Sequence, residues 1–125
     1  MILLTENLRN RLLQNGQQPD TDHVPVVKFF NPFGVGTWLV TELDADNDTL
    51  FGLADLGFGC PELGSFSLSE LTTVRLPFGM GVKRDLLFDA TFPLSAYAEA
   101  ARQAASIVES ERLLHAAAAT LRERR

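Results

Sequence analysis

The sequence predicts a small α+β domain on an antiparallel sheet, and three observations predict it. β-branched and aromatic runs recur between residues 26 and 55, with only short polar turns between them. That spacing suits a meander and leaves no room for βαβ crossovers. From Leu94 onward the chain is alanine-rich and holds neither Gly nor Pro, the composition of a helix. The whole is 125 residues, 46% hydrophobic with nine Phe, enough for one modest core. The expected organisation is an α+β domain over residues 1–92 and one long helix over 93–125. The domain would hold about four or five strands, a short N-terminal helix and a short helix near 67–73.

Thr5 begins a helical pattern with Leu8, Leu12 and Leu13 on one face, and Asn15-Gly16 supplies a stop. Residues 17–25 are polar with two prolines and read as a loop. Val26 to Phe30 is a strand ended by Asn31-Pro32, Thr37 to Glu42 a second, and Thr49 to Asp55 a third. Alternation puts Trp38 and Val40 on one face, so Trp38 belongs to the core. Residues 57–64 read as a loop and Gly64 to Phe66 as a short extended piece. Ser67-Leu68-Ser69-Glu70 has capping-box spacing for a helix of about two turns. Val82 to Phe88 reads as a strand at the sheet margin. Ser95 is positioned to cap the last helix, and Arg122, Arg124 and Arg125 suit its C-terminus. Such a helix would run about 40 Å. The remaining domain should be only roughly 25–30 Å across, so part of the helix should project. Leu114 and Leu121 lie on its distal stripe, where they could pair with a second copy.

Charge narrows the partners. The net charge is −5, and no Lys or Arg stands between Lys28 and Arg75, a stretch holding Glu42, Asp44, Asp46, Asp48, Asp55, Glu62 and Glu70. That surface repels phosphate, which argues against direct nucleic-acid or anionic-membrane binding and suits a basic partner protein. It could also serve solubility alone. No apolar run is long enough to span a bilayer, and the first residues lack the core of a secretory signal. With a single cysteine, Cys60, the expectation is a cytoplasmic protein.

Chemistry-bearing constellations are sparse. Asp44, Asp46, Asp48 and Asp55 faintly suggest a calcium loop, but Thr49 stands where glycine is needed and the context is a strand–strand turn. Cys60 would need a nearby base, and His23 and His115 lie far from it in sequence. One Cys and two scattered His lack zinc spacing. No cofactor is expected. More distinctive is an internal echo: Pro32-Phe33-Gly34-Val35-Gly36 recurs as Pro77-Phe78-Gly79-Met80-Gly81. Gly57-Phe58-Gly59-Cys60-Pro61 lies between the two. If the three loops meet, Phe33, Phe58 and Phe78 would form a recognition surface; otherwise they close the ends of the core. Lys83-Arg84-Asp85 would either fix the second loop or touch a partner.

An ordered series of short pieces carries a resemblance. It runs through Val27-Lys28-Phe29-Phe30, Thr37-Trp38, Thr41-Glu42, Phe51-Gly52 and Glu62-Leu63-Gly64. It continues with Phe66 to Leu71, Val74-Arg75, Pro77, Gly79, Arg84-Asp85 and Phe88. On these the chain resembles, over roughly residues 1–92, a domain of unknown function found mainly on bacterial plasmids, integrative elements and phages. The resemblance implies a mobile-element accessory role and no particular activity, and the alanine-rich helix from Leu94 is a departure from it or a variable extension.

The expected function is therefore a non-catalytic protein-interaction module without cofactor. Its candidate surface comprises Phe33, Asp44, Asp46, Asp48, Phe58, Glu62, Phe78, Arg84, Leu114 and Leu121. One alternative is an anti-defence inhibitor whose acidic face mimics DNA. Another is a small hydrolase or metal-dependent enzyme using Cys60 or the Asp cluster.

Overall fold

A computed structural model describes residues 2–124; Arg125, expected near a helix end, lies outside the described residues. The elements in order are helix α1 (Glu6–Gly16), strands β1 (Val27–Phe30), β2 (Thr37–Leu43), β3 (Thr49–Asp55) and β4 (Glu62–Ser67), and helix α2 (Leu68–Thr73). A one-turn 3₁₀ segment at Pro77–Gly79, strand β5 (Lys83–Arg84), and helices α3 (Leu94–Ala104) and α4 (Glu111–Glu123) follow.

All strands join one antiparallel sheet in the order β4-β3-β2-β1-β5. The α+β class is as the sequence predicts. Both faces of the sheet are covered. On one, α1 and α2 pack Leu12, Leu68 and Leu71 against Phe29, Val40, Leu43 and Leu50. Trp38 packs on the same side, as alternation with Val40 requires. On the other, α3 and α4 pack Tyr97, Ala101, Leu114 and Ala117 against Leu39 and Leu53.

Local chemistry sets the boundaries. The Thr5 hydroxyl accepts from the Leu8 N–H at 3.2 Å and starts α1. The Asn15 side-chain amide donates to the Thr41 carbonyl at 3.0 Å, fixing the end of α1 on β2. A bulge between Val40 and Glu42 interrupts the β2–β3 register beside Gly52. Strand β4 begins at Glu62, inside the segment expected to be loop. Strand β5 is only two residues long, at the sheet margin. Arg84 donates to the carbonyls of Ile2 (2.9 Å) and Leu3 (2.6 Å), which holds Leu3 and Leu4 in the core.

The single projecting C-terminal helix is not what forms. Ala105 adopts a left-handed backbone (φ 62°) and stops α3. The Asp55 carboxylate accepts from the Ile107 N–H at 3.0 Å and draws the connection back to β3. Ser110 then caps α4 through the Leu113 N–H, with Glu111 in the first turn. The two helices lie against each other as a hairpin. Ser95 is not the cap of α3 either. That position is Pro93, and the Asp22 carboxylate accepts from both the Ser95 N–H and its hydroxyl.

No helix among the described residues is long and apolar enough to cross a membrane.

Candidate functional site

Antiparallel register brings the loops after β1 and β3, and the segment before β5, to one end of the sheet. Those three connections are the aromatic-glycine segments. The rings of Phe33 and Phe78 meet there, centroids 5.9 Å apart and tilted by 43°. Val35 lies so close to Gly57 that a Cβ on that glycine would stand 2.7 Å from the valine side chain. Gly57 also has φ +87°, so glycine is required on both counts.

The cluster is apolar and open. Phe33 is 48% exposed, Phe58 81% and Phe78 90%, with Val35 and Leu56 exposed beside them. Exposed apolar residues mean little singly but much when contiguous. The first loop is rigidly built. The Asn31 carboxamide accepts from the Phe33 N–H (2.9 Å) and donates to the Val35 carbonyl (3.1 Å). The Asn31 N–H donates to the Gly36 carbonyl at 2.9 Å. In the second segment the Leu76 N–H donates to Met80 at 2.9 Å, and Phe78 itself is left-handed (φ 62°, ψ 26°). Phe33 has no positive φ, so the two Pro-Phe-Gly copies share composition and place without sharing conformation. Sequence reading named the phenylalanines but missed Val35 and Leu56, which the same loops carry outward.

The aspartate candidates Asp44, Asp46 and Asp48 lie at the opposite end, in the β2–β3 turn. The Asp46 carboxylate accepts from the Thr49 hydroxyl (2.6 Å) and from the N–H groups of Asp48 and Thr49. The Asp48 carboxylate accepts from the Ser69 N–H and the Ser67 hydroxyl, both at 2.8 Å, and so supports the start of α2. These bonds hold both acids below the usual carboxylate range; for Asp46 the Thr49 hydroxyl contributes most, for Asp48 the Ser69 N–H. Asp44 is exposed and its side chain takes no part in these bonds.

The remaining candidates separate. Leu114 is 1% exposed and fills the core beneath α3, so it is not a surface residue for pairing copies. Leu121 is half-buried beside Leu63 and Ala98. Glu62 is exposed at the start of β4, and Arg84 is half-buried at its carbonyl contacts. Cys60 is exposed and lines a hollow of about 150 Å³ with Leu56, Phe58 and Glu62. Neither histidine lines that hollow: His23 bonds the Gln18 carbonyl at 2.8 Å, and His115 packs edge-on to Phe92. Among the described residues no group of three or more His, Cys, Asp or Glu is placed to hold a metal ion.

Compared with known families, residues 3–108 match one described as a protein of unknown function, DUF2958. The chain belongs to that family. The DUF2958 match takes in the whole sheet and α3, so the first alanine-rich helix is part of the family body. Of the described helices and strands, only α4 falls beyond it. No curated protein and no solved structure matches the chain.

Proposed function

We infer that this DUF2958 protein is a non-catalytic protein-interaction module, acting in the cytoplasm as an accessory of a mobile genetic element. The aromatic-glycine end of its sheet is the recognition surface. Phe78 carries the reading. A bulky residue in left-handed backbone costs roughly 1–3 kcal/mol. At 90% exposure its ring recovers little of that within this chain, beyond its edge on Phe33. A partner that buries both rings would supply the missing stabilisation. Aromatic anchors on preorganised loops are the usual core of a protein interface. The mobile-element setting rests on the sequence resemblance.

The acidic-mimic alternative is less well supported, because Asp46 and Asp48 turn their carboxylates onto neighbouring backbone and hydroxyl groups. The test is affinity capture from extract of the native host, using the full chain and its Phe33→Ser/Phe78→Ser variant. A defined protein should co-purify with the parent and be lost with the variant, while Asp44→Lys retains it. Equal capture by all three would sink the reading.

A further inference from the structure

The two edges of the sheet are unlike each other. At one margin β5 has two residues, Lys83 and Arg84, and is thereby a poor template for another strand. At the other, β4 runs six residues in unbroken register with β3 and contains neither lysine, proline nor a bulge. Natural edge strands normally carry such a guard. The Leu68 N–H donates to the Asp48 carbonyl at 2.9 Å, which sets the phase of the β3–β4 ladder. By antiparallel alternation Glu62, Gly64 and Phe66 turn their main-chain groups to β3, and Leu63 and Ser65 turn theirs outward.

The side chains beside that edge are equally suggestive. Leu63 is 50% exposed on the face covered by α3 and α4. With Ala98 and Leu121 it lines an open trough of about 240 Å³. A strand laid along β4 would place alternate side chains over this trough, as pairing across a ladder requires. Charge selects the occupant. Glu62 stands at one end of β4, with Glu70 beyond the other. Arg102, at the trough rim, and Arg124 share the single Glu99, so one positive charge stands there against Glu62 and Glu70. A second copy of this chain would bring the same acids together, whereas a basic segment would neutralise them.

We propose that β4 is a strand-addition site, at which an extended segment of a partner protein, alternating apolar and Lys or Arg residues, joins the sheet beside Leu63 and Ser65. This surface is distinct from the aromatic loops, so either can fail alone.

The probe is a short synthetic peptide alternating Val with Lys and Thr, titrated into the isotope-labelled full chain and followed by amide resonances. Three controls accompany it: the same peptide with Glu for Lys, the lysine peptide N-methylated along one edge, and the Ser65→Pro variant. Proline is tolerated at an outward-facing edge position but removes the donor. If Ser65→Pro melts lower than the parent, Ser65→Lys replaces it, because a charge there guards the edge and repels the peptide. Saturable shifts centred on Leu63 and Ser65, with binding at least tenfold weaker in each control and unchanged in Phe78→Ala, are expected. No binding at millimolar peptide, equal binding of the Lys and Glu forms, or shifts centred elsewhere would overturn the proposal. So would a concentration-dependent dimer of the parent that Ser65→Pro abolishes, since the occupant would then be a second copy.

Discussion

Phe33 and Phe78 belong to different loops, yet their rings meet at 5.9 Å on the outside of the molecule. The contact joins a residue of ordinary backbone to one held at φ 62°. Replacing Phe78 by glycine therefore separates two effects. Glycine accepts left-handed backbone without steric strain, which offsets its larger loss of chain entropy, so thermal stability should hold or rise slightly, by up to about 1 kcal/mol. Partner capture should fall sharply. A variant that loses stability and binding together would mean the ring supports the fold instead.

The β2–β3 turn divides its acids by task. Asp48→Ala removes the acceptor for the Ser69 N–H and should lower the melting temperature by a few degrees. Asp44→Lys touches no comparable bond and should leave melting unchanged. Calorimetry on the two variants checks this. If Asp44→Lys destabilises as much as Asp48→Ala, the turn's acids are not divided in this way.

Gly52 on β3 lies opposite Val40, at the bulge in β2. A Cβ there would stand 1.9 Å from the Leu39 carbonyl oxygen, an atom of the backbone that cannot step aside. Gly52→Ala should thus destabilise by more than about 2 kcal/mol, or yield no folded protein. Urea unfolding measures it, and a loss below about 0.5 kcal/mol would show that the strands separate more easily than their packing implies.

What was legible in the sequence followed short-range signals. Helix α1 begins at Thr5 and Ser67 caps α2 as the sequence predicts, and β1 to β3 fall within a residue of the predicted runs. The break between α3 and α4 escaped because no Gly or Pro marks it. Its stop is a left-handed alanine, and Asp55 from a distant strand accepts from the Ile107 N–H two residues on. Ser110 with Glu111 was a readable start signal, masked by the alanine content around it. The same error placed Leu114 on an outward stripe. Likewise Asp22, a loop residue, engages Ser95 where a local cap was expected. The aromatic loops were nameable, but their meeting depends on sheet register, which no local pattern encodes.

Glu99 fastens the helix hairpin. The residue is 5% exposed, and its carboxylate accepts from Arg124 at 2.6 Å, from Gln103 at 2.9 Å and from Arg102. Burial pushes this carboxyl up, but the bonds from Gln103, Arg102 and Arg124 outweigh burial and hold it below the usual glutamate range. A lowered folded value means the charged form stabilises the fold above the unfolded value, about 4.3. That contribution is lost as pH falls through the folded value. The melting difference between parent and Glu99→Gln should therefore be widest near neutrality and narrow below about pH 4.3. Burial pushes Glu42 the other way, His23 opposing and Asp44 adding, so parent melting alone would not isolate Glu99. A difference independent of pH would refute the assignment.

Leu114 tests whether α4 belongs to the core. Its side chain is sealed among Leu39, Leu53, Tyr97 and Ala101. Removing three buried carbons leaves a cavity in that cluster. Leu114→Ala should therefore cost about 2–5 kcal/mol. Deleting residues 109–125 removes Leu114 and Ala117 from the same core and exposes Ala101 and Leu53 beneath them. The truncated chain should melt far lower or aggregate, although the family match ends at residue 108. Denaturant unfolding of Leu114→Ala, with sedimentation of the truncation, decides it. A stable monomeric truncation would mean that the sheet and α3 suffice, and that α4 rests on the domain without completing it.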